Sequence, residues 1–146
     1  MSQAGNKEGL SHSIAQLMPG IIQGVHIGFL AKRHLTHTQF FVLVAIHSQK
    51  CPAMSTLSHN MKVSMPTMTG IVERLVKGGY VRRIPHTQDR RQILVQLTTQ
   101  GRRIIVEFQG AAAARWQKVL LALNSKEISS FNHIVNKLRK SLGQGV

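Results

Sequence analysis

Asp89, Arg90 and Arg91 stand together in the short segment His86–Arg91, between two strand-like runs, Val81–Pro85 and Gln92–Leu97. An arginine presents a planar fork of donors suited to phosphate oxygens and to a narrow nucleic-acid groove. A carboxylate beside it limits the rotamer freedom that binding would otherwise remove. Directly upstream, Ser64–Gly79 reads as a short helix whose start and outer face carry Ser64, Pro66, Thr67, Thr69, Gly70 and Arg74. Hydroxyls and unpaired backbone amides at a helix N-terminus bond phosphates, and the first exposed side chains there reach base edges. Lys62, Lys77, Arg82 and Arg83 flank this segment as candidate phosphate contacts. In strand Val81–Ile84 the two arginines face opposite sides, so at most one is expected to serve well. The plainer reading of each is a solvated surface charge, and of Ser64 a simple helix cap.

The charge balance supports the first reading. The 146-residue chain holds 19 Lys+Arg against 5 Asp+Glu, a formal net charge of +14, which points to polyanions. Hydrophobic residues make up 42% and charged residues 16%, so this is not a disordered basic tail. Lys62 to Arg103 carries nine Lys+Arg against Glu73 and Asp89, a net of +7, half the total on under a third of the chain. Cys51 is the single cysteine, which excludes an intramolecular disulfide framework and suits a reducing compartment. As a redox sensor it would lack a resolving partner, and its place before Pro52 suits a small packed residue. The eight histidines invite a metal reading, yet His34 and His37 straddle a helix start and neither pairs with a thiol or carboxylate at ligand spacing. No metal or other cofactor is expected; His12, His26 and His34 are at most candidates for lining a ligand cavity. No catalytic set emerges, so the chain reads as non-enzymatic. Ile14–Leu30, broken by Gln16, Pro19, Gly20, Gln23 and His26, is too polar to span a bilayer, and no signal peptide is evident. A soluble, cytoplasmic protein without a membrane partner is expected.

These side chains need elements to hold them. Residues 1–10 read as frayed, and Ile14, Leu17, Met18, Ile21, Ile22, Val25, Phe29 and Leu30 then recur at helical spacing, with Pro19-Gly20 expected to kink or start the helix. Thr36-His37-Thr38-Gln39 has the form of a capping box, opening a helix to about Ser48 in which Phe40, Phe41, Leu43, Val44 and Ile46 are expected inside. Met54–Met61 reads as a short helix with Leu57 and Met61 inward, Lys62-Val63-Ser64 as a turn, and Ser64 as the cap of the next helix. That helix places Met68, Ile71, Val72, Leu75 and Val76 on one stripe, and Gly78-Gly79 ends it. Two short helices joined by a tight turn form a helix-turn-helix, and the following hairpin, with Ile93, Val95 and Leu97 alternating, forms a wing. After Thr98, Ile104 to Leu123 make one long stripe; Ile128, Phe131, Val135, Leu138 and Leu142 mark a last helix ending at Gly143. The fold is expected to be mainly α with a small β-hairpin wing: a winged helix-turn-helix over 35–101, an N-terminal dimerisation helix over 1–34 and C-terminal dimerisation helices over 102–146. Composition and periodicity reach a basic winged-helix homodimer and no further.

The chain resembles the MarR family of winged-helix transcriptional regulators over roughly Leu35–Gly101. The resemblance rests on Leu35-Thr36-x-x-Gln39-Phe40-x-x-Leu43, Val63-Ser64-x-x-Thr67-Met68-Thr69-x-x-Val72-x-Arg74-Leu75, Gly78-Gly79-Tyr80-Val81, and Asp89-Arg90-Arg91 followed by Leu97-Thr98-x-x-Gly101. It implies a homodimeric double-stranded-DNA-binding regulator, often a repressor released by a small molecule or an oxidant. A two-fold dimer would require a pseudo-palindromic operator with half-sites about 10 bp apart. In such proteins an aspartate holds one arginine while an arginine enters the minor groove; here Arg90 is expected in the groove and Arg91 or Arg74 on Asp89. Members often carry a long basic residue where Gly70 stands, so base reading is expected to shift to Thr67 and Thr69. The reading from another class is an architectural or non-specific DNA-coating protein, suggested by the charge of +14. RNA is less favoured, since Tyr80 and Trp116 alone offer stacking faces.

Overall fold

The computed structural model describes residues 2–89 and 91–142, with the side chains of 7–20, 28–89 and 91–141. Its elements are α1 (Ser2–Ala31), α2 (His37–Gln49), α3 (Met54–Asn60), α4 (Met65–Lys77), β1 (Val81–Pro85), β2 (Ile93–Leu97), α5 (Thr99–Leu120) and α6 (Ser125–Leu142). The mainly helical expectation with one hairpin is met. The N-terminus differs: α1 begins at Ser2 rather than after a frayed stretch, and Pro19 lies inside the helix instead of starting it. Pro19 has no amide hydrogen, so one bond of the helical ladder is absent there while its neighbours continue. The expected inward positions Ile21, Ile22 and Val25, together with His26, Leu142 and Gly143, lie outside the described side chains.

Capping residues set the helix starts. The Thr36 hydroxyl accepts the Gln39 N–H at 3.2 Å while the Gln39 side-chain oxygen accepts the Thr36 N–H at 2.8 Å, which closes the capping box. Gln39 is buried through this bond, which offsets the cost of burying an amide. Ser64 caps α4 by accepting the Thr67 N–H, and Pro66 sits in the first turn, where no amide hydrogen is needed. The Thr98 hydroxyl accepts the Gly101 N–H at 3.1 Å and opens α5. Two glycines are required by geometry. Gly79 leaves α4 at φ +75°, and a Cβ on Gly101 would lie 2.1 Å from the Tyr80 carbonyl oxygen.

Two compact units divide the chain: Val25–Gly110, and Met1–Gly24 with Ala111–Val146. The first reaches beyond 35–101 at both ends because its core needs them. Leu30, Ile104 and Ile105 are buried with Leu43, Ile46, Leu57, Met68, Val72 and Leu75, and the Phe108 ring lies 4.4 Å from Phe40 and 5.5 Å from Phe29. Arg33 ties the end of α1 to α5 through a 2.6 Å ion pair with Glu107. Not every expected core position is inside. Phe41, Val44, Val76 and Ile93 are exposed, whereas Val42 is fully buried. Apolar runs such as Phe40–Ile46 fill more than one helical face, so periodicity alone leaves the inward face open.

The strands pair antiparallel in the register Val81↔Leu97, Arg82↔Gln96, Arg83↔Val95, Ile84↔Leu94 and Pro85↔Ile93. Val95 also donates to the Pro52 carbonyl at 2.9 Å, which fixes the hairpin base to the segment before α3. In the second unit Trp116 and Phe131 pack at 6.5 Å, and Arg115 donates to the Gly20 carbonyl at 3.4 Å. There, Leu10, Ile14, Leu17 and Met18 of α1 and Ile128, Phe131, Ile134 and Leu138 of α6 remain exposed.

Candidate nucleic-acid interface

Buried Met68, Val72 and Leu75 anchor α4 and turn its opposite face outward. On that face Ser64, Pro66, Thr67 and Arg74 are exposed, and Thr69 and Gly70 are half-buried. The Ser64 and Thr67 hydroxyls lie 2.7 Å apart, so each already has a partner but retains hydrogen-bonding capacity toward a ligand. A Cβ added at Gly70 would meet nothing within 4 Å, so the helix surface there is bare backbone facing open space. Lys62 occupies the turn before α4 at φ +52° and Lys77 the last turn of the helix, both exposed. A cation suits the negative end of the macrodipole at Lys77.

The wing tip is organised by its own backbone. His86 Nδ1 accepts the N–H groups of Gln88 at 3.2 Å and Asp89 at 3.1 Å. The Asp89 carboxylate accepts the Arg91 backbone N–H at 3.0 Å and the Gln92 side-chain amide at 3.2 Å. Among the described residues neither the Arg91 nor the Arg74 guanidinium makes an ion pair with Asp89. Nearby N–H groups satisfy the carboxylate at little entropic cost, because the turn that presents them is already formed. Arg90 lies outside the described residues, so its expected place in a groove has no structural counterpart here. The Arg91 side chain is exposed.

Alternation along β1 separates Arg82 from Arg83, as the strand pattern requires. Arg82 Nε and Nη2 both donate to Gln96 Oε1, at 2.9 and 2.6 Å, directly across the hairpin. Arg83 points to α4, where Nη2 lies 3.5 Å from the Thr69 carbonyl oxygen and 3.9 Å from the Glu73 carboxylate. Arg83, Arg91 and Thr69, with Met54 and Met65, line a cleft of about 340 Å³ between the wing and the starts of α3 and α4. Gln96 and His86 were missed from sequence. The hairpin register would have exposed Gln96 as the cross-strand partner of Arg82; a histidine in a turn carries no comparable signal.

The residues weighed for other chemistry are scattered. Cys51 is half-buried, His12 is 3.0 Å from Gln16 on α1, and His34 is exposed in the α1–α2 turn. Among the described residues no group of three or more His, Cys, Asp or Glu could hold a metal ion, and no helix is long and apolar enough to cross a membrane.

Residues 35–93 match the model of the MarR family. The chain is 29% identical over 111 residues to the multiple antibiotic resistance protein MarR of Escherichia coli, covering 75% of this chain and 77% of that one. It is 27% identical over 116 residues to the HTH-type transcriptional repressor YetL of Bacillus subtilis, covering 78% and 70%. Its fold superposes on the transcriptional regulator Tm0710 of Thermotoga maritima with a TM-score of 0.83 at 21% identity, covering 94% of this chain and 96% of that one.

Proposed function

We propose that the chain is a MarR-type DNA-binding winged-helix transcriptional regulator, and that it acts as a homodimeric repressor of a pseudo-palindromic operator, released by a small-molecule or oxidant signal. The observation that carries this reading is the outward face of α4, with its Ser64 cap, set beside a hairpin that holds Arg82 and Arg83 on opposite sides. In this reading Ser64, Pro66, Thr67, Thr69 and Gly70 meet the major groove, and Thr67 and Thr69 read base edges. Arg90 enters the flanking minor groove, with Arg91 as the alternative, and Asp89 shapes the loop that presents them. Lys62, Lys77, Arg74 and Arg82 bond phosphates. Arg83 acts less as a phosphate ligand than as a strut, since its guanidinium already faces α4.

Dimerisation is supported by the apolar side chains that one chain alone leaves in water on α1 and α6. Repression is supported by the named activity of the relative YetL. For release, the cleft beside Arg83 and Arg91 suits a small anion whose binding would shift the wing against α4.

Selection of bound duplexes from a random pool, followed by footprinting, tests the reading. A pseudo-palindrome with half-site centres about 10 bp apart is expected. Uniform protection without a recovered motif would establish instead the coating protein that the charge of +14 favours.

A further inference from the structure

The wing tip is held at a nitrogen atom that can accept hydrogen bonds in one protonation state only. His86 Nδ1 accepts the backbone N–H groups of Gln88 at 3.2 Å and Asp89 at 3.1 Å, while the His86 N–H donates to the Gln92 carbonyl at 3.1 Å. Two donors converge on Nδ1, so that nitrogen carries no proton and the neutral ring has its hydrogen on Nε2. Turns of this kind are ordinarily closed by the side-chain oxygen of Asp, Asn or Ser, which remains an acceptor throughout the neutral range. Histidine closes one only while uncharged. Both ring nitrogens of the imidazolium are donors, and a histidine ordinarily changes charge between about pH 5 and 8.

The tip also contains the counter-ion that a protonated ring would seek. Asp89, the only acid of the hairpin, lies three residues along, and its carboxylate already accepts the Arg91 N–H and the Gln92 side-chain amide. An imidazolium that turned a ring N–H to this carboxylate would compete with both, so the two caps of the tip are disturbed together. The other charged residues of the hairpin are Arg82, Arg83, Arg90 and Arg91. Helices α2, α3 and α4 pack on its strands, and they carry His37 and His47, His59, and Glu73, Arg74 and Lys77 respectively. Glu73 is the one acid on those helices, and it pairs with Arg83. No helix against the hairpin supplies a second carboxylate, which leaves Asp89 for the ring.

We propose that His86 is a positioning residue of the wing: the neutral ring orders the tip, protonation releases it, and operator binding weakens as a result. The sign follows from the geometry. The bonds to Nδ1 are present above the histidine range and are lost as pH falls through it. Ordering of the tip is a property of this chain alone, whereas its effect on DNA rests on the winged-helix reading given above. A loosened tip must lose backbone and side-chain freedom on entering a groove, which lowers affinity. A positive charge beside phosphate acts in the opposite direction. The sign of the pH effect on binding therefore separates a brace from a phosphate contact.

Full-length protein is compared with His86→Asn, which keeps an acceptor that does not titrate, and with His86→Phe, which keeps a ring without one, all with matched melting curves. Without DNA, protection of the Gln88 and Asp89 amides against hydrogen exchange, corrected for intrinsic rates, should fall at least about fivefold in the parent between about pH 7.5 and about pH 5.5. In His86→Asn it should change less than about twofold, and in His86→Phe it should be lost at both pH values. Unchanged protection in the parent, or an equal fall in His86→Asn, overturns the proposal. Affinity of the parent for a selected operator, divided by that of His86→Asn at the same pH, should drop at least about threefold over the same interval, because the remaining histidines are common to both. A ratio that holds or rises makes His86 a surface charge or a phosphate contact, and the proposal fails. Failure of the parent to prefer operator over random duplex would instead remove the winged-helix reading, and the amide measurement then decides the ordering role of His86 by itself.

Discussion

The carboxylate of Asp89 acts on the wing through backbone and amide N–H groups, and this makes its role separable by substitution. An asparagine keeps the Oδ1 acceptor for the Arg91 N–H; an alanine removes it. Asp89→Asn should therefore bind operator within about twofold of the parent, whereas Asp89→Ala should lose about tenfold, on the order of 1.4 kcal/mol. Equal losses in a gel shift at fixed salt would mean that charge, and hence a guanidinium partner such as Arg90, is what Asp89 supplies. Gly70 offers a second test. An alanine there meets open space, so replacing glycine inside a helix should stabilise the fold by about 0.5–1 kcal/mol in urea unfolding. If the bare backbone at Gly70 lies against the groove, the same substitution weakens operator binding while it stabilises the protein. A variant that is stabilised and binds as before would leave base reading to Thr67 and Thr69 without close approach.

For α4 the cap and the core face make distinct contributions. Ser64→Ala should cost about 1 kcal/mol of stability through the lost bond to the Thr67 N–H. In the proposed complex it should also weaken operator binding, because a hydroxyl at the exposed helix start is lost. Leu75→Ala, at a fully buried position, should cost about 2–5 kcal/mol and shift the whole unfolding transition. The α2 and α4 starts were legible because Thr36-x-x-Gln39 and Ser64-Met65-Pro66 encode local hydrogen bonds. The hairpin was legible from alternation, and its register then follows from Val81 opposite Leu97. Burial was less legible. Phe41 and Val44 lie in a run where every helical face is apolar, and only packing in the shared core, with Phe40 against Phe108, selects Phe40, Val42 and Leu43 as the inner set. The bonds of Asp89 to the Arg91 N–H and the Gln92 amide were illegible for another reason: turn geometry, which sequence spacing does not encode, brings those groups to the carboxylate.

Taken as a single chain, the protein leaves Leu17 at 65% and Leu138 at 53% exposure, along helix faces that also carry Ile14, Met18, Phe131 and Ile134. Clustered apolar side chains of this size favour association, and the proposed two-fold dimer would cover them without leaving a complementary patch for further growth. In that proposed dimer the symmetry supplies two recognition helices, so loss of dimerisation is expected to carry operator affinity with it. Leu17→Glu tests this, because Leu17 is exposed in the lone chain and its replacement costs little core packing. The variant should sediment as a monomer with an unchanged helical circular dichroism spectrum. Its affinity for the full pseudo-palindrome should drop at least about 100-fold, since each half-site is then bound without the effective concentration that the second supplies. Affinity for an isolated half-site should stay close to that of the parent. A Leu17→Glu protein that still sediments as a dimer would move the interface away from this face of α1. A true monomer with undiminished affinity for the full operator would break the link between symmetry and recognition.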